Sequence, residues 1–174
     1  MDTRKSQGDG SFNLKQFKSL GKNVVFEKGV LIFHPENIVI GNNTYIGHNT
    51  ILKAYYKNEM IIGDDTWIGP SCFFHSAGGI KIGKRIGIGP MVKILTSYHS
   101  EEPIDQPVLN NEIRYKPVII EDGSDIGIGT IILPGITIGK GAIIGAGSVV
   151  TKNVPAFSVY VGNPAKLLRE RGKK

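Results

Sequence analysis

The chain has 174 residues, enough for one domain and too few for two of ordinary size. With 40% hydrophobic and 21% charged residues, its composition is typical of a globular protein. No apolar run approaches the roughly 20 residues that span a bilayer, and the polar N-terminus has no secretory h-region. We therefore expect a cytoplasmic protein that does not insert into membranes.

The charge and the cysteine content narrow the possible ligands. A net charge of +6 suits an anionic ligand, such as a phosphorylated cofactor or a nucleotide-linked substrate. No motif for nucleic-acid recognition accompanies that charge, so a nucleic-acid partner is not expected. Cys72 is the only cysteine, which excludes an intramolecular disulfide and a cysteine-rich zinc site.

Residues 1–22 show no repeat and are predicted to form an N-terminal arm, loose or with a short helix. From there to residue 155 the dominant feature is a six-residue period. Its anchors are apolar at fifteen positions: Ile40, Ile46, Leu52, Ile62, Ile68, Phe74, Ile82, Ile88, Ile94, Ile120, Ile126, Ile132, Ile138, Ile144 and Val150. Because six is a multiple of the strand period of two and not of the helical 3.6, the repeat predicts short strands separated by regular corners.

Two further positions keep the same period. The residue four after an anchor is small or β-branched, as at Thr44, Thr50 and Cys72, and is predicted to point into the core. Glycine commonly follows the anchor, as at Gly47 and Gly69, where we expect it to allow backbone angles that other residues resist. Three such units would close one coil of about 18 residues, with coils stacked at the strand spacing of about 4.8 Å.

The repeat is interrupted at residues 53–61, at 77–79 and most extensively at 97–117. A loop of more than about 15 residues in a compact domain is usually functional or disordered, and a regular repeat on both sides favours a functional, projecting loop. Residues 156–174 leave the repeat as a C-terminal extension. Within it, the segment from Pro164 to Arg171 is predicted to form a short helix, with proline near its start.

Three stretches resemble a known family: residues 88–99, which end in His99, residues 116–135, and residues 145–155 followed by Val161-Gly-Asn-Pro-Ala-Lys166. They are similar to the hexapeptide-repeat acyltransferases, and most of all to the maltose, galactoside and polysaccharide O-acetyltransferases. The resemblance covers roughly residues 38–171. It implies an all-β fold, a left-handed parallel β-helix of about five coils over residues 23–155.

The resemblance also implies an activity and a site. The protein would be a homotrimer with active sites between subunits, transferring acetyl directly from acetyl-CoA to a sugar hydroxyl without a metal. His99 would be the general base. The CoA contacts carried over from the family are Ile128, through its backbone, Ala146, Thr151, Lys152 and Arg169.

The acceptor side of the site is less well specified. Ser71 stands where sugar acetyltransferases often have an acceptor-binding asparagine, and Asp125 stands where many relatives have a tryptophan beside the pantetheine. His75, Glu101 and Glu102 are further candidates for substrate contact, because they follow an anchor or lie just beyond His99. One of the loop carboxylates, including Asp105, could orient the imidazole of His99.

The residues themselves support acid–base chemistry at His99. An imidazole has an ordinary pKa near 6.5, close to working pH, and a well-placed base contributes roughly 10²–10⁴ in rate. Three alternatives stay open at this point. They are N-acetylation of a nucleotide-linked amino sugar, a metal-dependent enzyme of the γ-carbonic anhydrase type, and a non-catalytic scaffold. The metalloenzyme needs three converging histidines, whereas the four here are well separated in sequence.

Overall fold

The computed structural model describes residues 6–173, which form a three-sided parallel β-helix. Each side is a sheet whose strands are parallel, apart from the last strand of sheet B, and the chain visits sheets A, B and C in turn. Sheet A contains β1 (Ser19–Leu20), β4 (Ile38–Ile40), β7 (Met60–Ile62), β10 (Ile80–Ile82), β15 (Val118–Ile120) and β18 (Thr137–Ile138). Sheet B contains β2 (Val25–Phe26), β5 (Tyr45–Ile46), β8 (Trp67–Ile68), β11 (Gly87–Ile88), β16 (Asp125–Ile126), β19 (Ile143–Ile144), β21 (Ser158–Val161) and β22 (Lys166–Glu170).

Sheet C contains β3 (Leu31–Phe33), β6 (Ile51–Lys53), β9 (Phe73–His75), β12 (Lys93–Leu95), β17 (Ile131–Ile132) and β20 (Val149–Val150). A separate hairpin joins β13 (Ser97–His99) and β14 (Ile113–Tyr115), and 3-10 helices span Leu14–Gln16, Pro35–Asn37 and Val108–Asn110. The all-β, left-handed β-helical fold predicted from the sequence is confirmed. No helix among residues 6–173 has the length and apolar character needed to cross a bilayer.

The coil count is higher than the predicted five. The six strands of sheet A, the first six of sheet B and the six of sheet C make six complete coils, and a bridge from Val154 to Ile138 followed by β21 begins a seventh. The first coil starts at Ser19, inside the segment predicted to be a non-repeating arm. Its anchors Leu20, Phe26 and Ile32 keep the six-residue spacing but include only one isoleucine, so the isoleucine-based pattern missed them.

The described part of the predicted arm, residues 6–18, closes the N-terminal end of the core; residues 1–5 lie outside the described part. Phe12 packs edge-on to Phe17 at 5.7 Å between ring centroids and lies 5.1 Å from Phe26 of the first coil. The backbone also joins the coil, because Ile32 N–H donates to the Gly10 carbonyl at 2.9 Å. The arm is therefore a cap that covers apolar side chains of the first coil.

The core consists of the stacked anchors and the inward residues four positions later. Ile46, Leu52 and Phe74 have no exposed surface, and the predicted inward positions Thr50 and Cys72 are at most 1% exposed. The hydroxyl of Thr50 donates to the Gly69 carbonyl at 3.0 Å, which satisfies a polar group inside an apolar stack. The inward orientation predicted for this position is confirmed.

The role predicted for glycine after the anchor is wrong. Gly47 and Gly69 do not have positive φ; a Cβ on Gly47 would lie 2.5 Å from the nitrogen of Pro70 in the next coil, and one on Gly69 would lie 2.6 Å from the nitrogen of Pro90. These glycines are needed because neighbouring coils approach closely. Positive φ occurs two residues later at the corners, for example at Asn49 and Gly129.

The predicted C-terminal helix is also wrong. Residues Lys166–Glu170 form β22, which pairs antiparallel with β21 at the end of sheet B. The last parallel strand of a solenoid exposes unpaired N–H and C=O groups, and a returning strand satisfies them. That tertiary requirement overrides the local helix propensity of the segment.

Candidate active site

All three interruptions of the repeat fall at the same corner, where the chain leaves sheet C and enters sheet A (the C–A corner). Residues 53–61 follow β6, 77–79 follow β9, and 97–117 follow β12, so the irregular segments lie beside one another on consecutive coils. They border a cavity of about 410 Å³, which is called the active-site cavity below for its candidate role. Its lining residues are Tyr55, Tyr56, Lys57, Asn58, His75, Ala77, Leu95, Ser97, Tyr98, His99, Ile113 and Tyr115.

The projecting loop is built on the hairpin of β13 and β14, in which His99 lies opposite Ile113 and Ser97 opposite Tyr115. Residues directly opposite in an antiparallel pair project to the same side. These four side chains all line the active-site cavity. The strand alternation therefore aims His99 into the cavity.

The imidazole of His99 is half-buried and is oriented by the backbone. Its Nδ1 lies 3.1 Å from the carbonyl oxygen of Asn111. A carbonyl can only accept a hydrogen bond, so Nδ1 carries the hydrogen in the neutral ring, and Nε2 has a free lone pair. This tautomer is the one a general base requires when Nε2 faces the acceptor.

Sequence reasoning did not single out Asn111, which holds the loop in shape. It is only 5% exposed, and its side-chain amide donates to the carbonyls of Ser100 at 2.9 Å and Pro103 at 3.2 Å. Its side-chain oxygen accepts from Gln106. These contacts fix the backbone whose carbonyl orients His99. No repeat or motif marks such a residue, since its partners are main-chain groups of an irregular loop.

His75 lies on β9 in the same cavity, so the structure brings together two of the residues singled out from the sequence. Its Nε2 is 2.8 Å from the hydroxyl of Tyr55, and the two ring centroids are 5.0 Å apart. Burial and the nearby positive charge of Lys53 lower the pKa of His75 below its ordinary value. The ring is consequently neutral at neutral pH.

Glu101 and Glu102 are exposed on the other side of the hairpin, where they line a shallow depression with Tyr98, Ser100 and Arg114. Neither lines the active-site cavity. From the sequence, a loop carboxylate was a candidate for the group that orients His99. In the structure, the hydrogen-bond partner of the ring is instead the Asn111 carbonyl. A contact of either glutamate with substrate stays a prediction.

Ser71, Ile128 and Ala146 lie at a different edge, the corner between sheets B and C (the B–C corner). Ser71 is exposed there with φ of 58°. Ile128 is 45% exposed, and its carbonyl accepts from Gly147 N–H, the residue after Ala146, at 2.8 Å. Within one chain, none of the three lines the cavity that contains His99.

The remaining predicted CoA contacts are exposed near the C-terminal end of the solenoid. Thr151 and Lys152 follow β20, while Arg169 lies on β22 opposite Val159. Asp125, where relatives have tryptophan, is an exposed residue of β16 in register with Gly87. Within a single chain, these residues are not gathered at the active-site cavity.

No group of three or more His, Cys, Asp or Glu residues within the described range 6–173 lies close enough to hold a metal ion. The histidines are distributed over different coils: His34 contacts Glu36 at 2.9 Å, and His48 contacts Glu27 at 3.3 Å. Within this chain, the three converging histidines of the metalloenzyme alternative are not found.

Parallel coils with a six-residue repeat make this chain a hexapeptide-repeat β-helix protein, and comparisons with known proteins identify its family. Residues 117–152 match the family model described as bacterial transferase hexapeptide (six repeats). The dTDP-4-amino-4,6-dideoxy-D-glucose acyltransferase of Escherichia coli is 35% identical over 163 residues, which cover 91% of this chain and 84% of that protein. The chain belongs to the hexapeptide-repeat acyltransferase family.

Two further relatives illustrate the range of acceptors. The galactoside O-acetyltransferase of E. coli K12 is 31% identical over 90% of this chain and 65% of that protein. The N-acyltransferase AntD of Bacillus cereus, solved with dTDP and 3-hydroxybutyryl-CoA, superposes with a TM-score of 0.81 at 26% identity, covering 90% of this chain and 85% of that one. The chain spans between 55% and 84% of the lengths of its curated relatives.

Proposed function

We propose that this protein is an acetyl-CoA-dependent acetyltransferase that modifies a sugar hydroxyl, with His99 as the general base. The observation that carries the proposal is the orientation of His99. Its Nδ1–H is directed to the Asn111 carbonyl, 3.1 Å away, at the wall of a cavity large enough for part of a sugar. Membership of an acyltransferase family supplies the reaction class.

The reaction follows from this tautomer. Nε2 of His99 removes the proton of the acceptor hydroxyl as its oxygen attacks the thioester carbonyl of acetyl-CoA. The tetrahedral intermediate then collapses, the C–S bond breaks, and the imidazolium returns the proton to the leaving thiolate. The acetyl ester and free CoA are the products, so atoms and charge balance without a metal. A placed base of this kind contributes roughly 10²–10⁴ in rate.

The CoA contacts carried over from the family belong to the same proposal. Lys152 and Arg169 are exposed cations suited to the cofactor phosphates, and Ile128 and Ala146 lie on adjacent coils of the B–C corner. Because the B–C corner and the active-site cavity lie at opposite ends of the sheet C strands, we propose that one subunit supplies each. That arrangement is the homotrimer with sites between subunits.

Acetylation of an amine on a nucleotide-linked sugar is a second candidate. It is supported by the 35% identity to the E. coli acyltransferase of dTDP-4-amino-4,6-dideoxy-D-glucose and by the similarity to AntD, which was solved with dTDP. An amine is a nucleophile once deprotonated, so a base matters less for attack than it does with a hydroxyl. The two candidates therefore differ in how strongly they depend on His99.

A screen of acetyl-CoA consumption tests the proposal. The acceptor panel contains methyl β-D-galactopyranoside, glucosamine, dTDP-4-amino-4,6-dideoxy-D-glucose and an acidic polysaccharide. Transfer to a hydroxyl, identified as an alkali-labile acetyl ester, supports the first candidate. An alkali-stable amide formed on the amino sugar supports the second. A panel with no acceptor-dependent release of CoA would contradict both.

A further inference from the structure

The irregular segment 53–61 forms one wall of the active-site cavity, and hydrogen bonds fix it at three points. The Tyr55 hydroxyl bonds to His75 Nε2 at 2.8 Å, and the Tyr55 carbonyl accepts from the Asn37 side chain at 2.8 Å. The Asn58 side chain donates to the Ala77 carbonyl at 2.7 Å. The wall is therefore ordered before a ligand arrives, which lowers the entropic cost of binding.

The hydrogen bond between Tyr55 and His75 joins two neutral groups. Burial raises the pKa of the Tyr55 hydroxyl, which stays protonated, and burial with Lys53 lowers the pKa of His75, which stays neutral. Either neutral tautomer of the ring completes this bond, since Nε2 either accepts from the hydroxyl or donates to its oxygen. The other ring nitrogen, Nδ1, is buried and lacks a hydrogen-bond partner among the described residues.

That unpaired nitrogen bears on the role of His75. Leaving a buried polar atom without a partner reduces stability, and such atoms are few in native structures. Lys53 and Leu95 are in register with His75 on the neighbouring strands of sheet C. Since neither is a histidine, packing at this position of the sheet does not require one. The imidazole is explained by what it does for Tyr55, which it holds against the cavity.

The cavity lining matches the surface of a sugar ring. Tyr55, Tyr56 and Tyr115 line the cavity with aromatic side chains that carry hydroxyl groups, and no carboxylate is among the described lining residues. A pyranose has apolar C–H faces that pack on aromatic rings and hydroxyls that bond to phenolic oxygens. The lining therefore favours recognition by ring packing over recognition by acidic side chains.

We propose that Tyr55, held in place by His75, is the specificity-determining wall that receives the sugar ring of the acceptor and presents its reacting group to His99. This inference rests on the proposed function, because it concerns the acceptor of the same site. His75 is a positioning residue: its Nε2 is occupied by Tyr55, so it acts through that side chain and takes no proton from the acceptor.

Tyr55→Phe and His75→Gln test the inference with whichever acceptor of the panel gives the highest kcat/KM. Loss of one positioning hydrogen bond corresponds to a rise of about tenfold in KM for the acceptor. The KM for acetyl-CoA is expected to stay within about twofold. Tyr45→Phe is the matched control, because Tyr45 packs on Trp67 in sheet B, away from the cavity.

The double variant Tyr55→Phe/His75→Gln separates a joint role from two independent ones. If His75 acts through Tyr55, the double variant has the same acceptor KM as either single variant, whereas independent roles multiply the two effects. Equal rises in the KM for acetyl-CoA and acceptor, or an unchanged acceptor KM in Tyr55→Phe, would overturn the inference. A wild type without acceptor-dependent turnover would instead overturn the proposed function, and this inference with it.

A spectroscopic measurement covers the case in which His75→Gln does not fold. The ¹⁵N chemical shifts of His75 in the wild-type protein at pH 7 report which ring nitrogen carries the hydrogen. One fixed neutral tautomer is expected, and the ring shifts are expected to change in Tyr55→Phe, because the Tyr55 hydroxyl is the hydrogen-bond partner of Nε2. Ring shifts that are the same in Tyr55→Phe and in the wild type would overturn the inference regardless of the behaviour of His75→Gln.

Discussion

At the scale of single residues, His99 combines a half-buried ring with a backbone partner. The single hydrogen bond of its ring within the described residues is to the Asn111 carbonyl, so little of the fold depends on its side chain. The sequence indicated this residue by its place at the start of the projecting loop and by the family resemblance of the stretch that it ends. The tautomer of His99 could be assigned only from the structure, because the sequence does not show which carbonyl of the loop accepts a hydrogen bond from its ring.

We expect His99→Ala to lower kcat/KM for transfer to a hydroxyl by at least about 10²-fold, because the acceptor proton loses its base. Steady-state rates of CoA release measure the effect, and circular dichroism verifies the fold. His48→Ala is the matched control, since His48 contacts Glu27 at the surface. A variant with full transfer activity would refute the assignment of the base.

Cys72 is predicted to be chemically inert while the protein is folded. It is 1% exposed, and burial raises the pKa of its thiol to about 11, from an ordinary value of about 8.5. Between these values the unfolded thiol ionises and the folded one does not, so this group destabilises the fold as the pH rises from about 8.5 towards 11. Below that range it has no such effect.

The reaction with Ellman's reagent at pH 8 measures this inertness. We expect no thiol to react in the folded protein and one thiol per chain to react in guanidinium chloride, because Cys72 is the only cysteine. Rapid modification of the folded protein would mean that Cys72 is not a core residue.

At the scale of elements, the position of each interruption in the repeat, more than its length, determines which segments become neighbours in the fold. Each of the three interruptions follows the last anchor of a coil, namely Leu52, Phe74 and Ile94. The spacing alone could therefore have assigned all three to one corner of the solenoid. Stacking of coils then makes them neighbours, although up to about forty residues separate them along the chain.

Glycine after an anchor and glycine at a corner are expected to respond differently to substitution. A Cβ at Gly63 would lie 2.4 Å from the Gly83 carbonyl oxygen, so Gly63→Ala forces two coils apart and should cost about 3 kcal/mol. Gly123 has φ of 69° with open space around it. Asn43 has φ of 54° at the equivalent corner, so Gly123→Asn should cost less than about 1 kcal/mol.

Chemical denaturation of the two variants compares the free energies of unfolding. The expected order is a large loss for Gly63→Ala and a small one for Gly123→Asn. The reverse order would show that backbone angle, and not the approach of coils, determines where glycine is needed.

The C-terminal segment shows how context changes an element. Lys166–Glu170 has residues compatible with a helix, yet all five are exposed and the segment pairs with β21 as a strand. Strand propensity depends on the neighbouring edge more than on the residues themselves. The first coil shows the opposite case, because its six-residue period is present at Leu20, Phe26 and Ile32, but only one of these anchors is the isoleucine that dominates the other coils.

At the scale of the whole molecule, the predicted site residues fall into two groups at opposite ends of the sheet C strands. His99 and His75 line the active-site cavity, whereas Ile128 and Ala146 lie at the B–C corner. The proposed trimer would bring the two groups together from different subunits. Sedimentation or light scattering is expected to give a trimer, and the two groups would then meet across its interfaces.

Mixed oligomers test whether two subunits share a site. His99→Ala removes the base, and Lys152→Ala is expected mainly to weaken CoA binding. If one subunit supplies His99 and its neighbour Lys152, co-refolding equal amounts of the two inactive variants, assayed at limiting acetyl-CoA, restores about a quarter of the sites. No recovery from the mixture would place both residues in one subunit, and an unchanged Kd for CoA in Lys152→Ala would remove that residue from the site.

The sequence by itself determined the solenoid, the inward positions and the projecting loop, because each of these depends on spacing along the chain, whereas His99 as the base rests on the family resemblance and stays a prediction. Only the tertiary structure decided the closeness of the coils at Gly63, the strand at Lys166–Glu170 and the partners of His99 and His75. These depend on contacts between residues distant in sequence. A six-residue period determines how each coil is built. The contacts between the irregular segments of neighbouring coils are determined only when the coils stack.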